Sequence, residues 1–161
     1  MSINIRAFES GDSEAVLALN KASVQFLSPM DAERLQLLRA HSALFWVAEN
    51  NEGVVGFLLA FTHGAAYDSP NYRWFNARLQ RFLYIDRIVL SAQVRGQGLG
   101  QQFYRELTDW AKAQQLVWLA AEIDIAPSNP PSLQFHQQQG FITAAEQAVG
   151  NKRVSLQIKS L

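Results

Sequence analysis

Three glycines alternate in Arg95-Gly96-Gln97-Gly98-Leu99-Gly100, between an apolar run and a stretch with helical spacing. The first four N–H groups of a helix lack an internal partner. The aligned peptide dipoles add partial positive charge at the same end. A phosphate satisfies both, provided the backbone can approach it closely. Glycine removes the side chains that would hold it away and permits unusual backbone angles. The backbone of Arg95, Gly96, Gln97, Gly98, Leu99 and Gly100 therefore reads as a diphosphate cradle. A glycine-rich turn without a ligand is the plain alternative. A Walker loop would need a lysine after its last glycine. A dinucleotide fingerprint would need GxGxxG, whereas this spacing is GxGxG, late in the chain. Neither fits.

The second chemical signal is acidic. Glu122 and Asp124 alternate on one face of LVWLAAEIDI, and Asp86 interrupts RFLYIDRIVL on the face of Tyr84 and Ile88. A carboxylate in an apolar strand either has its pKa pushed up by burial or pairs with a cation. The first outcome would suit a general base, with Glu122 ahead of Asp86, although a water chain could also serve as the base. The second makes an ion pair, with Arg87 or Arg81 as the partner.

Several chemistries are excluded by what the chain lacks. There is no cysteine, so no disulfide, thiol nucleophile or cysteine zinc site. The three histidines are widely spaced, and no metal is expected. Fourteen basic residues balance fourteen acidic ones, which argues against a nucleic-acid partner. No apolar run approaches the roughly 18 residues of a membrane span. A soluble cytoplasmic protein without membrane contact is the expectation.

Elements must position these residues. The 161 residues suit one domain, spanning 1–161. INIRAF alternates as a half-buried strand. SGDSEAVLALNKA reads as a helix capped by Ser10 or Asp12, and SPMDAERLQLLRAHS as a second, with Ser28 as cap and Pro29 at its first position. ALFWVAENNEGVVGFLLAF reads as a hairpin turning at Asn51-Glu52-Gly53. Residues 62–80 read as a long aromatic loop, and such loops are often functional. Then follow the Asp86 strand, the glycine-led helix, the Glu122 strand, a short helix from Asn129 to Gly140, and a closing hairpin around Gly150-Asn151. The order β-α-α-β-β-β-α-β-α-β-β predicts a mixed α/β fold. Its sheet would be mostly antiparallel, of about seven strands flanked by about four helices.

In this context the sequence resembles the GNAT superfamily of acyl-CoA-dependent N-acetyltransferases. Its diphosphate signature, [QR]-x-x-G-x-[GA], is matched by Arg95, Gly98 and Gly100 after a strand and ahead of a helix. A second block, N-x-x-[AS]-x-x-x-[YH]-x-x-x-G-F, is matched by Asn129, Ser132, His136, Gly140 and Phe141. More narrowly, SPNYRWFNAR and AEIDIAPSNPPSLQFHQQQGF look like a bacterial group of predicted acetyltransferases without an assigned substrate.

The resemblance implies direct acetyl transfer from acetyl-CoA to a primary amine of a small molecule, amino acid or peptide. It implies that Ile88, Val89 and Leu90 pair with the pantetheine arm. The N–H of Leu90 is then the oxyanion donor, a contact worth roughly 3 kcal/mol in the transition state. Asn129 and Ser132 would touch the cofactor, or merely cap and begin their helix. His136 stands where the family often has a tyrosine proposed to protonate the leaving thiolate. An imidazole there could act as that acid, lie beside the cofactor as a helix residue that contacts it, or bond a backbone carbonyl. Tyr72, Trp74 and Phe75, with Tyr84, are the candidates to line the acceptor pocket. Arg73 or Arg78 could meet a substrate carboxylate, and loop packing or a dimer contact is the alternative for this segment. A homodimer is common in the family, although no residue pattern here demands one. A non-catalytic acyl-CoA-binding or sensing domain is the alternative function.

Overall fold

The computed structural model describes residues 2–24 and 27–161. β1 (Asn4–Ala7) is followed by a 3-10 turn at Ser10–Asp12 and by α1 (Ser13–Ala22). Asp12 stands at the N-cap of α1 as expected, but its carboxylate makes no capping bond, being taken by the Glu9 N–H at 2.8 Å and by Arg6; Ser10 lies in the turn. α2 spans Ala32–His41 and is capped by Asp31, which accepts the Arg34 N–H at 2.8 Å. The cap is thus not Ser28, and Pro29 stands ahead of the helix. A carboxylate satisfies the orphan N–H and also meets the positive helix end.

β2 (Leu44–Asn50) and β3 (Gly53–Thr62) form the expected hairpin. Residues 62–80, expected as loop, contain α3 (Pro70–Asn76). Ser69 caps it and Pro70 occupies its first turn, a helix start that the aromatic composition obscured. β4 (Phe82–Leu90), α4 (Leu99–Ala113), β5 (Trp118–Ala126), α5 (Pro130–Gln138), β6 (Ile142–Val149) and β7 (Lys152–Ser160) complete the chain. The sheet has seven strands in the order β1-β2-β3-β4-β5-β7-β6, and only β4 and β5 run parallel. The helices number five among the described residues rather than four, the addition being α3.

Two apolar clusters cover the two faces. One holds Val16 from α1, Leu35 and Leu38 from α2, and Tyr72 and Phe75 from α3. The other holds Leu99, Phe103 and Leu107 from α4 and receives Phe135 from α5. Two irregularities between them matter for the site. The β3–β4 register steps from Leu59↔Arg87 to Ala60↔Ile85, which leaves Asp86 as an additional residue in β4. Such a bulge resets the alternation of faces. Tyr84 and Val89 accordingly share the first cluster, while Ile85, Ile88 and Leu90 pack on the second. Asp86 is therefore on the side of Tyr84, as expected, but not of Ile88. The other irregularity is a parting of strands. β4 pairs with β5 only from Phe82↔Trp118 to Tyr84↔Ala120, and beyond that β5 continues with β7 alone.

Candidate active site

A cleft of about 1190 Å³ opens where β4 and β5 part. Its wall includes Tyr104 and Phe135 from the helices on one face, and Ser28, Pro29 and Arg34 from the α1–α2 region on the other. It therefore runs through the sheet. The free edge of β4 forms one side, with Ile88, Val89 and Leu90 all lining it. The Ser91 N–H donates to Val55 O on β3 at 2.7 Å. Backbone N–H groups alternate in direction along a strand, so the Leu90 N–H is turned the other way, into the gap.

The glycine segment stands at one mouth. Gly96 and Gly98 have φ of 77° and 84°, left-handed angles that side chains resist, and a Cβ at either would meet open space. Gly98 is the N-cap of α4. Among the described residues, no backbone carbonyl takes the N–H groups of Arg95 through Gly100. Gly100 has an ordinary φ, and an added Cβ there would sit 3.4 Å from the Phe135 ring, so this glycine sets how closely α5 approaches α4. Arg95, Gly96 and Gly100 line the cleft. Leu99 is buried beneath them, and Gln97 donates to Gln93 O at 3.0 Å. Donors, glycine backbone and open space together fit a diphosphate.

Asn129 occupies the N-cap of α5, yet its side chain makes no capping bond and it lines the cleft. Ser132 and His136 line it one turn apart. His136 Nδ1 lies 2.8 Å from Ser132 O, and its Nε2 lies 2.6 Å from Tyr104 Oη. A carbonyl only accepts, so Nδ1 carries the proton. Nε2 is then the acceptor, and the Tyr104 O–H donates to it. Burial holds the imidazole below its usual pKa, favouring this neutral form. His136 thus has no proton to offer from Nε2.

The carboxylates gather on the opposite face. Glu122 accepts from the Tyr84 hydroxyl at 2.5 Å. Burial raises its pKa to about 8, and the neighbouring Asp86 charge adds to the rise. Hydrogen bonds from Tyr84 and Asn71 oppose it. Asp86 is paired with Arg87 at 2.8 Å, with side chains only 5% and 4% exposed. It also accepts from Tyr67 Oη at 2.6 Å. Arg87 reaches on to Asn20 Oδ1 and Ser28 O. Of the two carboxylates, Asp86 is the committed ion-pair partner and Glu122 the group left to exchange a proton. Arg81 plays no part in this cluster; its guanidinium donates to Gln115 O.

The aromatic candidates require correction. Tyr72 and Phe75 are buried in the core, and neither they nor Trp74 lines the cleft. The Tyr72 hydroxyl donates to Thr62 O and accepts the Ala65 N–H, tying down the loop before α3. Trp74 packs edge-on against Phe75 and carries the Arg78 guanidinium over its ring. The helical turn explains this. Residues 72 and 75 share the core-facing side of α3, so Asn71 is the one that reaches Glu122. Tyr84 lies behind Glu122 rather than in the wall. Tyr67, Asn71 and Tyr104 were missed in the sequence. For Tyr104 a signal existed, since a tyrosine at a core position of a helix needs a hydroxyl partner.

Residues 12–141 match the Acetyltransferase (GNAT) family. The chain belongs to that family. Solved structures agree on the fold. The chain covers 100% of its own length and 99% of Ard1 from Thermoplasma volcanium, at a TM-score of 0.81 and 15% identity. With the ribosomal-protein-S18-alanine N-acetyltransferase from Escherichia coli, coverage is 99% and 94%, the TM-score 0.72 and identity 14%. N-acetylglutamate synthase from Neisseria gonorrhoeae, solved with coenzyme A and N-acetyl-glutamate, matches all of this chain over 35% of its own, at TM-score 0.72 and 18% identity. No curated protein matches the chain. Among the described residues of this GNAT protein, no cluster of His, Asp and Glu could hold a metal ion, and no helix is long and apolar enough to cross a membrane.

Proposed function

We propose that this protein transfers the acetyl group of acetyl-CoA directly to a primary amine. The observation that carries the reading is the parting of β4 from β5 between two built features. On one side is a glycine-led helix start with free N–H groups, and on the other a buried carboxyl group, Glu122.

In this mechanism the N–H groups from Arg95 to Gly100 hold the diphosphate, and the edge of Ile88 to Leu90 holds the pantetheine arm, with Asn129 and Ser132 beside it. The amine reacts in its neutral form, and Glu122, as carboxylate, takes the proton its nitrogen must lose as the N–C bond forms. The amine lone pair forms the N–C bond to the thioester carbonyl. The carbonyl oxygen gains charge and is met by the Leu90 N–H. The C–S bond then breaks with its electron pair on sulfur. A thiolate is a fairly good leaving group, so no enzymic acid is required, and neutral His136 serves to orient Tyr104. Asp86 acts on Glu122 through its charge.

The test is thiol release from acetyl-CoA with a panel of amines. Saturable, amine-dependent release is expected. Tight CoA binding with no turnover across a broad panel would overturn the reading in favour of a sensing domain.

A further inference from the structure

The charges on the acceptor side of the cleft narrow the amine that fits it. Among the described residues, four cations border the whole cleft: Arg34, Arg87, Arg95 and Lys152. Arg95 belongs to the glycine segment, on the cofactor side. The other three are each matched to a carboxylate of the same wall. Arg34 grips Asp68 with both amino groups, at 2.6 and 3.4 Å. Arg87 holds Asp86 at 2.8 Å and spends a second nitrogen on Asn20 and Ser28. Lys152 meets Asp124 at 3.0 Å. Arg73 of α3 and Arg78 just after it do not add to this wall: Arg78 lies over Trp74, and Arg73 is exposed outside the cleft.

A substrate carboxylate would have to draw one of these cations from its partner. For Asp86 and Asp124, whose side chains are 5% and 9% exposed, that leaves a buried carboxylate unpaired where it is costly to desolvate, whereas Asp68 at 64% exposed restrains Arg34 less. The wall also holds one carboxyl group more than its cations can match, Glu122. Apolar side chains of Leu27, Pro29, Pro70, Val149 and Val154 line the same cleft, interrupted by Ser28, Ser69 and Asn71.

We infer that the acceptor is a primary amine with an apolar substituent and no carboxylate on the adjoining carbon. The inference rests on the transferase reading above. Two sources share this chemistry: a free alkyl or arylalkyl amine, and the N-terminal residue of a chain, whose carboxyl group is already an amide.

The experiment compares acceptors that share one side chain. The full chain is assayed for thiol release at saturating acetyl-CoA with 2-phenylethylamine, phenylalaninamide and phenylalanine, and with 1,4-diaminobutane as a polar control. Values of kcat/KM are referred to the free-amine concentration. The first two are expected to exceed phenylalanine by about tenfold or more. The amine leading its amide identifies a small-molecule acceptor, and the reverse identifies a chain terminus. Phenylalanine equal to or ahead of its amide would overturn the inference, as would 1,4-diaminobutane ahead of the phenyl amines, while the transferase reading stood. Turnover of none of them, with CoA still bound, would remove that reading and the inference with it.

Discussion

In the proposed mechanism, Glu122 is the residue on which proton transfer turns. It must be ionised to accept the amine proton, and burial puts that ionisation near pH 8. Activity on an amine that is already neutral is therefore expected to climb through that pH. Glu122→Gln should lower kcat/KM by roughly 10²–10⁴-fold and abolish the limb, read from a pH–rate series. Asp86→Asn removes a negative neighbour that raises the Glu122 pKa, so the limb should move to lower pH. An unmoved limb would mean that some other group titrates. The residues of this site were unequally legible. The glycines and Glu122 stand out because their types and local spacing carry the chemistry. Tyr67 and Asn71 do not, since their roles exist only once the segment before β4 has folded over the sheet and brought them to Asp86 and Glu122.

Among the elements, β4 carries the tightest tolerance. A Cβ on Gly56 of β3 would lie 3.0 Å from Val89 O, and it would press on Leu99 and Leu90 as well. Gly56→Ala must push the very strand that turns the Leu90 N–H into the gap. It is expected to lower kcat more than CoA affinity, measured by steady-state kinetics beside calorimetric titration. Gly98→Val acts differently. Nothing crowds that position, but a β-branched residue resists φ of 84°. The helix start should unwind and CoA affinity should fall by at least about tenfold, whereas retained affinity would count against the cradle. Most elements could be read from periodicity, and the strand-helix order followed. The bulge at Asp86 could not, because an additional residue in an apolar run leaves no mark in its pattern. Helix α3 was hidden by aromatic residues that suit a loop equally well until their core-facing turn is seen.

At the scale of the molecule, the sheet edge is fastened to the first helix through Arg6, which holds both Asp12 and Glu49. The bond from Arg6, with the Glu9 N–H, depresses the Asp12 pKa. A depressed carboxyl stabilises the fold above its unfolded value, near 4, and that contribution is lost as pH falls through the folded value. Asp12→Asn should cost about 1–2 kcal/mol at neutral pH, and the deficit should close on acidification, followed by urea unfolding at several pH values. The sequence could not show that β7 inserts between β5 and β6, since strand order is settled by packing at long range. One further consequence follows from a cavity that perforates the sheet. In the proposed reaction the amine would reach the thioester carbonyl carbon through a doorway separate from the thioester's own, so neither would have to leave before the other arrives. The direct transfer proposed above uses no acyl-enzyme, so both would be aboard together, and initial-rate plots should give intersecting rather than parallel lines.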